Sequence, residues 1–516
     1  MKDDVRLSAL LLLPTLLLPA CTVTDTGGEA VASSSDTSAP ARPGPPAAEL
    51  QRAAAPPSVV PGATASELAV GTSAALYESA PVVVLAGAGD AAARTRGESL
   101  AVSLGAPLLL SPSAGAAATV TREVDRLAPE AVLAVGSAAK TWADELDVVD
   151  VVAAPASDAD VADALLEVGP TAPATGTVVL ATGDPVEAAA VATARAAGAE
   201  VVVVPGSDPR ADPAVVTRMK ELAPQRVLGL GDAFGPDARF AYRVAAASTG
   251  VQLPGGGQLV LPGKRYVALY GHPGSGALGV LGEQGPEATV ARAAKLAESY
   301  AVVRPDDEVV IPTFEIITTV ASSAAGADGD YSNESTLDQL RGHIDAAAAS
   351  GTYVLLDLQP GYTDFLTQAK LYEEFLLMPH VGLALDPEWR LAPGQRHMVQ
   401  IGAVGADEVN RVGDYLAALV RDNALPQKML LLHQFKTYML EERERIVADR
   451  DEVSVVTQMD GHGPTGTKLE TWNVILQDPP AGMRFGWKNF YDEDSPTMTP
   501  ARTLAVEPTP VFISYQ

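Results

Sequence analysis

The 516-residue chain contains one cysteine, Cys21, so it can form no internal disulfide and offers no cysteine-based metal site. Basic residues are also scarce, with 36 Lys and Arg against 64 Asp and Glu, a formal charge of −28. Binding to nucleic acid needs clustered Lys and Arg to meet phosphate, so no nucleic-acid partner is expected. An acidic surface keeps the protein soluble and can engage cations or basic polymers. There are only six histidines, with no His-x-His or His-Glu-x-x-His pair among them. A metal site would have to draw one ligand from each of several strands, so neither a metal nor a cofactor is expected. The Leu-rich stretch from Leu7 to Leu18 is too short to span a bilayer comfortably.

What is present is a hydrophobic content of 47%, enough for the cores of two or three domains. The Leu-rich stretch runs into Leu18-Pro19-Ala20-Cys21, which resembles a bacterial lipoprotein signal. The resemblance implies cleavage before Cys21, lipidation of its thiol, and a chain anchored to the cell membrane facing the wall. Asp3 and Asp4 dilute the charge of Lys2 and Arg6, and the alternative is an ordinary signal peptide with an incidental cysteine. From Thr22 to Ala65 the chain is mostly Ala, Pro, Ser, Thr and Gly. Such a stretch buries too little apolar surface to offset ordering, so residues 22–65 read as a disordered tether.

Residues 66–256 carry an internal duplication, with copies at about 66–157 and 158–256. PVVVLAGAGD (81–90) aligns with GTVVLATGDP (176–185), SLGAPLLLSPS (103–113) with AAGAEVVVVPG (196–206), and EVDRLAPEAVLAVGSA (123–138) with RMKELAPQRVLGLGDA (218–233). Leu85 and Leu180 stand 95 residues apart, as do Pro129 and Pro224. A period this well kept marks two copies of one unit. Each copy reads strand, helix, strand, helix, strand, a small three-layer α/β unit. VVVLAGAGDAAA, GAPLLLSPS and LAPEAVLAVG resemble the type 2 cell-wall-binding repeat of Gram-positive surface proteins. That implies noncovalent attachment to a cell-wall polysaccharide or anionic wall polymer. Where that family has Asp-Ala-Leu-Ala and a closing Gly-Gly, this chain has Asp90-Ala91-Ala92-Ala93 and Val135-Gly136-Ser137. A degenerate structural repeat is the alternative. GAGDAAA lacks the third glycine of a dinucleotide-binding loop.

Residues 257–516 alternate strand and helix. Strands are expected at 265–271, 308–315, 352–358, 380–386, 428–434, 453–459, 483–489 and 510–516, with helices at 286–303, 335–349, 362–377, 406–422, 438–449, 465–477 and 496–505. Eight strands and seven helices predict a C-terminal (β/α)8 TIM-type barrel following the duplicated α/β domain. No eighth helix follows the last strand, and a segment of the repeat region is expected to cover the gap.

Barrel enzymes take functional groups from the C-terminal ends of several strands. Those ends offer His272, Glu315, Asp357, Gln359, Asp386, Glu388, Trp389, His433, Gln434, Gln458, Asp460, His462, Trp487, Asn489 and Tyr515. Asp386 and Glu388, two apart, would share one side of an extended strand with about 7 Å between Cα atoms. Two close carboxyls can separate their pKa values into an acid and an ionised partner, as glycoside hydrolysis requires. VGLALDPEW (381–389) also resembles the fourth-strand Asp-Gly-x-Asp-x-Asp-x-Glu motif of family 18 glycoside hydrolases, on Gly382, Asp386 and Glu388. Val381 and Ala384 replace the first two aspartates of that motif. The resemblance implies Glu388 as acid and Asp386 as the group that orients it or steadies positive charge. Asp357 or Asp460 is then the base or nucleophile, the alternative being a salt bridge to Arg390 or Lys488. Trp389 and Trp487 would stack on sugar rings. His272, Glu315, Gln359, His433, Gln434, Gln458 and His462 would line the substrate site, although His433 reads equally as a barrel-interior histidine. His343 and His397 are expected at the surface. The charged run from Glu441 to Ile446 should be a solvated helix face. Long loops at 271–285 and from Arg390 to Gly405 would form the rim.

Three functions fit: a glycoside-hydrolase-like envelope lipoprotein acting on a wall or capsule polysaccharide, a noncatalytic carbohydrate-binding lipoprotein, and a metal-dependent hydrolase or deacylase.

Overall fold

Runs such as VVVLAG (82–87) and KMLLLHQ (428–434) are apolar on both faces, and strands of that kind lie between covering layers in parallel sheets. The computed structural model describes residues 45–516 apart from 53, 112–116, 147–149, 166 and 306–307. The expected signal peptide, Cys21 and residues 22–44 of the expected tether lie outside the described residues. Where the tether reading overlaps them it is corrected, because Glu49–Leu50 and Ser58–Val60 are strands. The β-branched pair Val59-Val60 finds a partner in Arg226–Leu230, which it joins in parallel. Among the described residues no helix is long and apolar enough to cross a membrane.

The N-terminal half holds two four-stranded parallel sheets. One runs in the order Leu108–Ser111, Val82–Gly87, Ala131–Val135, Asp150–Ala153, and the other in the order Glu200–Val203, Thr177–Ala181, Arg226–Leu230, Ser58–Val60. Val83, Leu85 and Val132 of the first share a core with Val179, Leu228 and Leu230 of the second.

The C-terminal half is a closed barrel of eight parallel strands: β1 (Lys264–Gly271), β2 (Val309–Ile317), β3 (Tyr353–Leu358), β4 (Val381–Leu385), β5 (Lys428–Gln434), β6 (Val453–Met459), β7 (Arg484–Asn489) and β8 (Phe512–Tyr515). Period-two alternation sends every second side chain inward. Tyr266, Ala268, Ile311, Tyr353, Leu355, Ala384, Met429, Leu431, Val456 and Phe512 fill the lower interior. Gly382 is needed there: a Cβ would sit 2.7 Å from the Met429 carbonyl oxygen and 2.8 Å from the Tyr353 hydroxyl. Leu253 and Val260, on the segment entering the barrel, close its floor, and Tyr266 Oη donates to the Val260 carbonyl at 3.1 Å.

Three expectations change. Residues 438–449 form no α-helix, but 3-10 turns at Thr437–Met439 and Arg443–Arg445 around a short strand, Leu440–Glu441, that pairs with Val404–Gly405. Arg443 turns inward, donating to Gln434 Oε1 at 3.1 Å and to the Ile475 carbonyl at 2.6 Å, so this charge does not sit on a solvated helix face. The 362–377 helix breaks into Phe365–Leu371 and Glu373–Leu376 around Tyr372, whose buried hydroxyl donates to the Ser335 carbonyl at 3.0 Å. The gap beside β8 is covered by helices Pro286–Ala301 and Pro500–Leu504 through Tyr300, Leu504, Ile513 and Tyr515 and not, as expected, by the N-terminal half. That region instead docks near the opposite end. Arg210, 1% exposed, pairs with Asp208 at 2.8 Å and with Asp451 at 3.0 Å, and Tyr242 Oη donates to the Leu425 carbonyl at 3.2 Å.

Candidate active site

One turn of the alternation above the apolar layer, the inward positions become polar on every strand. They are Tyr270 (β1), Glu315 (β2), Asp357 (β3), Asp386 (just past β4), His433 (β5), Gln458 (β6), Lys488 (β7) and Ser514 (β8), all buried. Asp460 follows β6 with the same parity, at 9% exposure. A shared parity on parallel strands carries these side chains to one level, which is how eight separate segments build a single site.

His433 is the hub. Its Nδ1 lies 2.9 Å from Asp460 Oδ2, and its Nε2 lies 2.9 Å from Glu315 Oε1 and 3.6 Å from Asp357 Oδ1. Lys488 Nζ meets Asp460 Oδ1 at 3.0 Å and stacks 3.6 Å above the Tyr270 ring. Tyr270 Oη donates to Asp357 Oδ2 at 3.2 Å and receives Gln359 Nε2 at 3.3 Å. Gln458 Nε2 is bonded to Ser514 Oγ.

Above this layer opens a cavity of about 600 Å³ lined by Tyr270, Gln359, Asp386, Glu388, Trp389, Phe435, Lys436, Asp460, His462, Lys488 and Phe490 among others. Asp386 and Glu388 do not lie on an extended strand as expected. β4 ends at Leu385, and Pro387–Trp389 forms a 3-10 turn in which the Glu388 N–H donates to Asp386 Oδ1 at 3.3 Å. Pro387 favours that turn, and both carboxyls still reach the cavity.

The carboxyls divide electrostatically. Burial, with Asp460 nearby, raises Glu388 to about 7. Burial raises Asp357 to about 7, with Glu315 and Asp460 adding to it against His433 and Lys488. Asp386 is driven well above the carboxylate range by burial, with Asp357 and Glu388 adding to it. Burial opposes ionisation of Asp460 too, but Lys488 and His433 outweigh it and hold that carboxyl down to about 2. His433 moves well above its ordinary value because Asp460, Asp357 and Asp386 overcome its burial. At neutral pH the cavity therefore presents an ionised Asp460 beside a Glu388 that can carry a proton.

Of the sequence-expected residues, Asp386, Glu388, Asp460, Trp389, Gln359 and His462 line the cavity. Asp357, Glu315, His433 and Gln458 lie in the polar layer and are fully buried or nearly so. His272 sits in the first loop, accepting from the Gly274 N–H on Nδ1 and meeting Ser335 Oγ at 3.2 Å through Nε2, outside the cavity lining. Gln434 and Trp487 have the opposite parity to His433 and Lys488, so they point outward. Gln434 donates to the carbonyls of Lys436 and Thr437, and Trp487 packs against Trp472 with centroids 5.6 Å apart. Neither lines the cavity, which corrects both expectations. Asn489 receives the Trp487 Nε1–H at 3.0 Å, and Tyr515 meets Tyr300 with 2.6 Å between hydroxyls. His343 is buried edge-on against Phe314, not at the surface, while His397 is half-buried with Nε2 3.0 Å from the Tyr331 carbonyl. Arg390 pairs with Glu408, leaving the Lys488 contact to Asp460 as the salt bridge that forms. The sequence reading missed Tyr270 and considered Lys488 only as an ion-pair partner. Counting parity along YVALYGH and RFGWKN places both inside the barrel.

No protein family and no curated protein matches the chain. Among solved structures, Cwp6 from Clostridium difficile aligns at 13% identity and a TM-score of 0.29, over 64% of this chain and 65% of that one. A cellobiohydrolase mutant, CcCel6C, in the closed form aligns at 15% identity and a TM-score of 0.19, over 48% of this chain and 63% of that one. The chain thus spans under two thirds of either structure, and likeness this slight assigns neither fold nor activity.

Proposed function

We propose that the barrel is a carbohydrate-cleaving unit of the glycoside-hydrolase type, acting on a wall or capsule polysaccharide outside the cytoplasm. Glu388 is the general acid, Asp386 orients it, and Asp460 faces the positive charge that develops at the sugar. The observation that carries this reading is that Asp386, Glu388 and Asp460 line one cavity together with aromatic side chains, where burial raises Glu388 while Lys488 and His433 hold Asp460 down. Trp389, Phe435 and Phe490 on the wall supply flat apolar faces for sugar rings. In this reading the N-terminal half is the duplicated wall-binding domain and Cys21 the lipid anchor. Three strands of each four-stranded sheet support the duplication, since both sheets run second, first, third in chain order, while the fourth strand is Asp150–Ala153 in one and Ser58–Val60 in the other.

The experiment is release of reducing ends from a panel of wall and capsular polysaccharides by the purified chain and by Glu388→Gln. Turnover that drops at least 100-fold in the variant, with polymer binding retained, supports the assignment. A variant within threefold of the parent would remove Glu388 from the acid role. A second reading, a noncatalytic carbohydrate-binding barrel, draws on one observation: both oxygens of Asp460 are already engaged, by His433 and Lys488. Binding without turnover in the unaltered chain would favour it.

A further inference from the structure

His433 lies among more carboxyls than an imidazole can satisfy in its neutral form. Both ring nitrogens are 2.9 Å from a carboxyl oxygen, Glu315 Oε1 on one side and Asp460 Oδ2 on the other. A carboxylate only accepts hydrogen bonds, and a neutral imidazole has a single N–H, so one of these contacts would press a lone pair against a negative oxygen. Little of the group is exposed: His433, Glu315 and Asp357 are 0% exposed, Asp386 and Lys488 2%, and Asp460, at the cavity, 9%. An uncompensated charge there is costly, so the layer has to approach neutrality. It contains four carboxyls, on Glu315, Asp357, Asp386 and Asp460, and two groups able to be cations, His433 and Lys488. Neutrality follows if both bases are charged and two carboxyls keep their protons, or if Lys488 alone is charged and three do. The approach of three carboxyl oxygens to one imidazole, at 2.9, 2.9 and 3.6 Å, favours the first.

We propose that His433 is a positioning residue that stands as an imidazolium between Glu315 and Asp460. With Lys488 on the other Asp460 oxygen, it locks Asp460 as a carboxylate at the cavity floor, while Asp357 and Asp386 retain protons. Each group that faces the imidazole has its place in this arrangement. Glu315 on β2 and Asp460 after β6 take its two N–H bonds. Asp357 on β3 stands 3.6 Å away, its Oδ1 without a hydrogen-bond partner among the described residues and its Oδ2 receiving the Tyr270 hydroxyl. Asp386 after β4 and Lys488 on β7 complete the ring, and the Tyr270 ring on β1 lies 6.2 Å from the imidazole, centroid to centroid. Burial of Asp357 and Asp386 pushes both toward the protonated form, consistent with this count. The clamp fixes Asp460 in place and in charge before any substrate arrives, so no reorganisation is required when positive charge develops above it. Only this catalytic consequence rests on the hydrolase reading, because the protonation state of His433 does not.

Nitrogen-15 NMR on the full chain labelled at histidine tests the proposal without any substrate. One of the six imidazoles should remain doubly protonated at pH 8, and its signals should vanish in His433→Gln. In the near-isosteric Glu315→Gln, which also serves if His433→Gln does not fold, the same imidazolium should lose its proton at least one pH unit lower than in the parent. Six neutral imidazoles at pH 8 would overturn the proposal. So would stoichiometric shifts of the His433 signals on adding zinc or manganese, since Asp386, His433 and Asp460 would then be holding a cation, their ligand atoms lying within 4.8 Å of one another. If the parent turns over a polysaccharide, His433→Gln should lower kcat at least tenfold and leave KM within about threefold. A parent inactive on every polysaccharide would count against the hydrolase reading alone, with the NMR result still deciding the state of His433.

Discussion

The two ends of the barrel each bury a lysine on a strand and treat it in opposite ways. At the lower end Lys428 is 0% exposed, and its ammonium donates only to the carbonyls of Met378 and Val381, at 2.8 and 2.7 Å. Burial without a counter-charge lowers it to about 7. At the upper end Lys488 is as deeply buried, yet it is raised above its ordinary value because Asp460 and Glu315 more than offset desolvation. Burial is therefore not what marks a functional lysine. The carboxylates around it are, and only the upper end has them together with an open cavity. The lower end is closed by Leu253 and Val260 and tied to the N-terminal half by Arg210, Arg243 and Asp451. One end is arranged for chemistry and the other for holding the halves together.

If that division is correct, the two ends should respond separately to substitution. The largest effect is expected for Glu388→Gln, a fall in turnover of about 10²–10⁴ with no drop in the urea midpoint, which is the loss typical of a positioned proton donor. Asp451→Ala should do the reverse. It removes one of the two carboxylates that Arg210 and Arg243 share and leaves them Asp208 alone, so the loss should fall below the roughly 3–5 kcal/mol of a fully broken buried pair. Chemical denaturation would show that loss, while activity per folded molecule stays level. Equal damage to activity and stability in either variant would break the separation.

Lys428 provides a finer test through pH. Its folded pKa, about 7, lies below the ordinary value of 10.5, so between those values the unfolded chain holds a proton that the folded chain lacks. Stability should rise with pH through that window at up to about 1.4 kcal/mol per unit, and Lys428→Met should remove the slope. At the upper end the sign is opposite. Asp357 is raised from 3.8 to about 7, so the folded chain holds the extra proton and its contribution is lost as pH climbs from about 4 to 7. Asp357→Asn, which mimics the protonated form, should flatten that fall. The smallest effect is expected for the aromatic pair. Trp389→Phe should weaken polysaccharide binding by a few-fold without changing the denaturation midpoint, whereas Trp487→Phe, outside the barrel, should shift only the midpoint. Isothermal titration and urea unfolding would separate the two.

The barrel strands were legible because continuous apolar runs of five to eight residues between Gly- and Pro-rich turns leave little choice of structure, and β5 and β6 match their expected bounds at both ends. The helix expected at 438–449 failed because its charged residues suggested solvent exposure, and nothing local announces that Arg443 reaches the Ile475 carbonyl 32 residues away. Trp487 was misassigned for a different reason. Aromatic character near a strand end suggests sugar stacking, but the direction of a strand side chain is set by parity, and Lys488 takes the inward position.

Composition and local pattern were enough for an acidic protein with scarce cysteine, a 95-residue internal period and an eight-strand alternation whose fourth strand runs into Asp386-Pro387-Glu388. These features depend on neighbours in the chain, where hydrophobic periodicity and turn chemistry act directly. Folding alone decided that Glu315, His433 and Asp460, separated by as many as 145 positions, meet at 2.9 Å while Trp487 and Gln434 do not join them. Closure of the barrel sets which strand ends share a level, and burial at that level sets which of their carboxyls keep a proton. Neither quantity exists until the strands have come together.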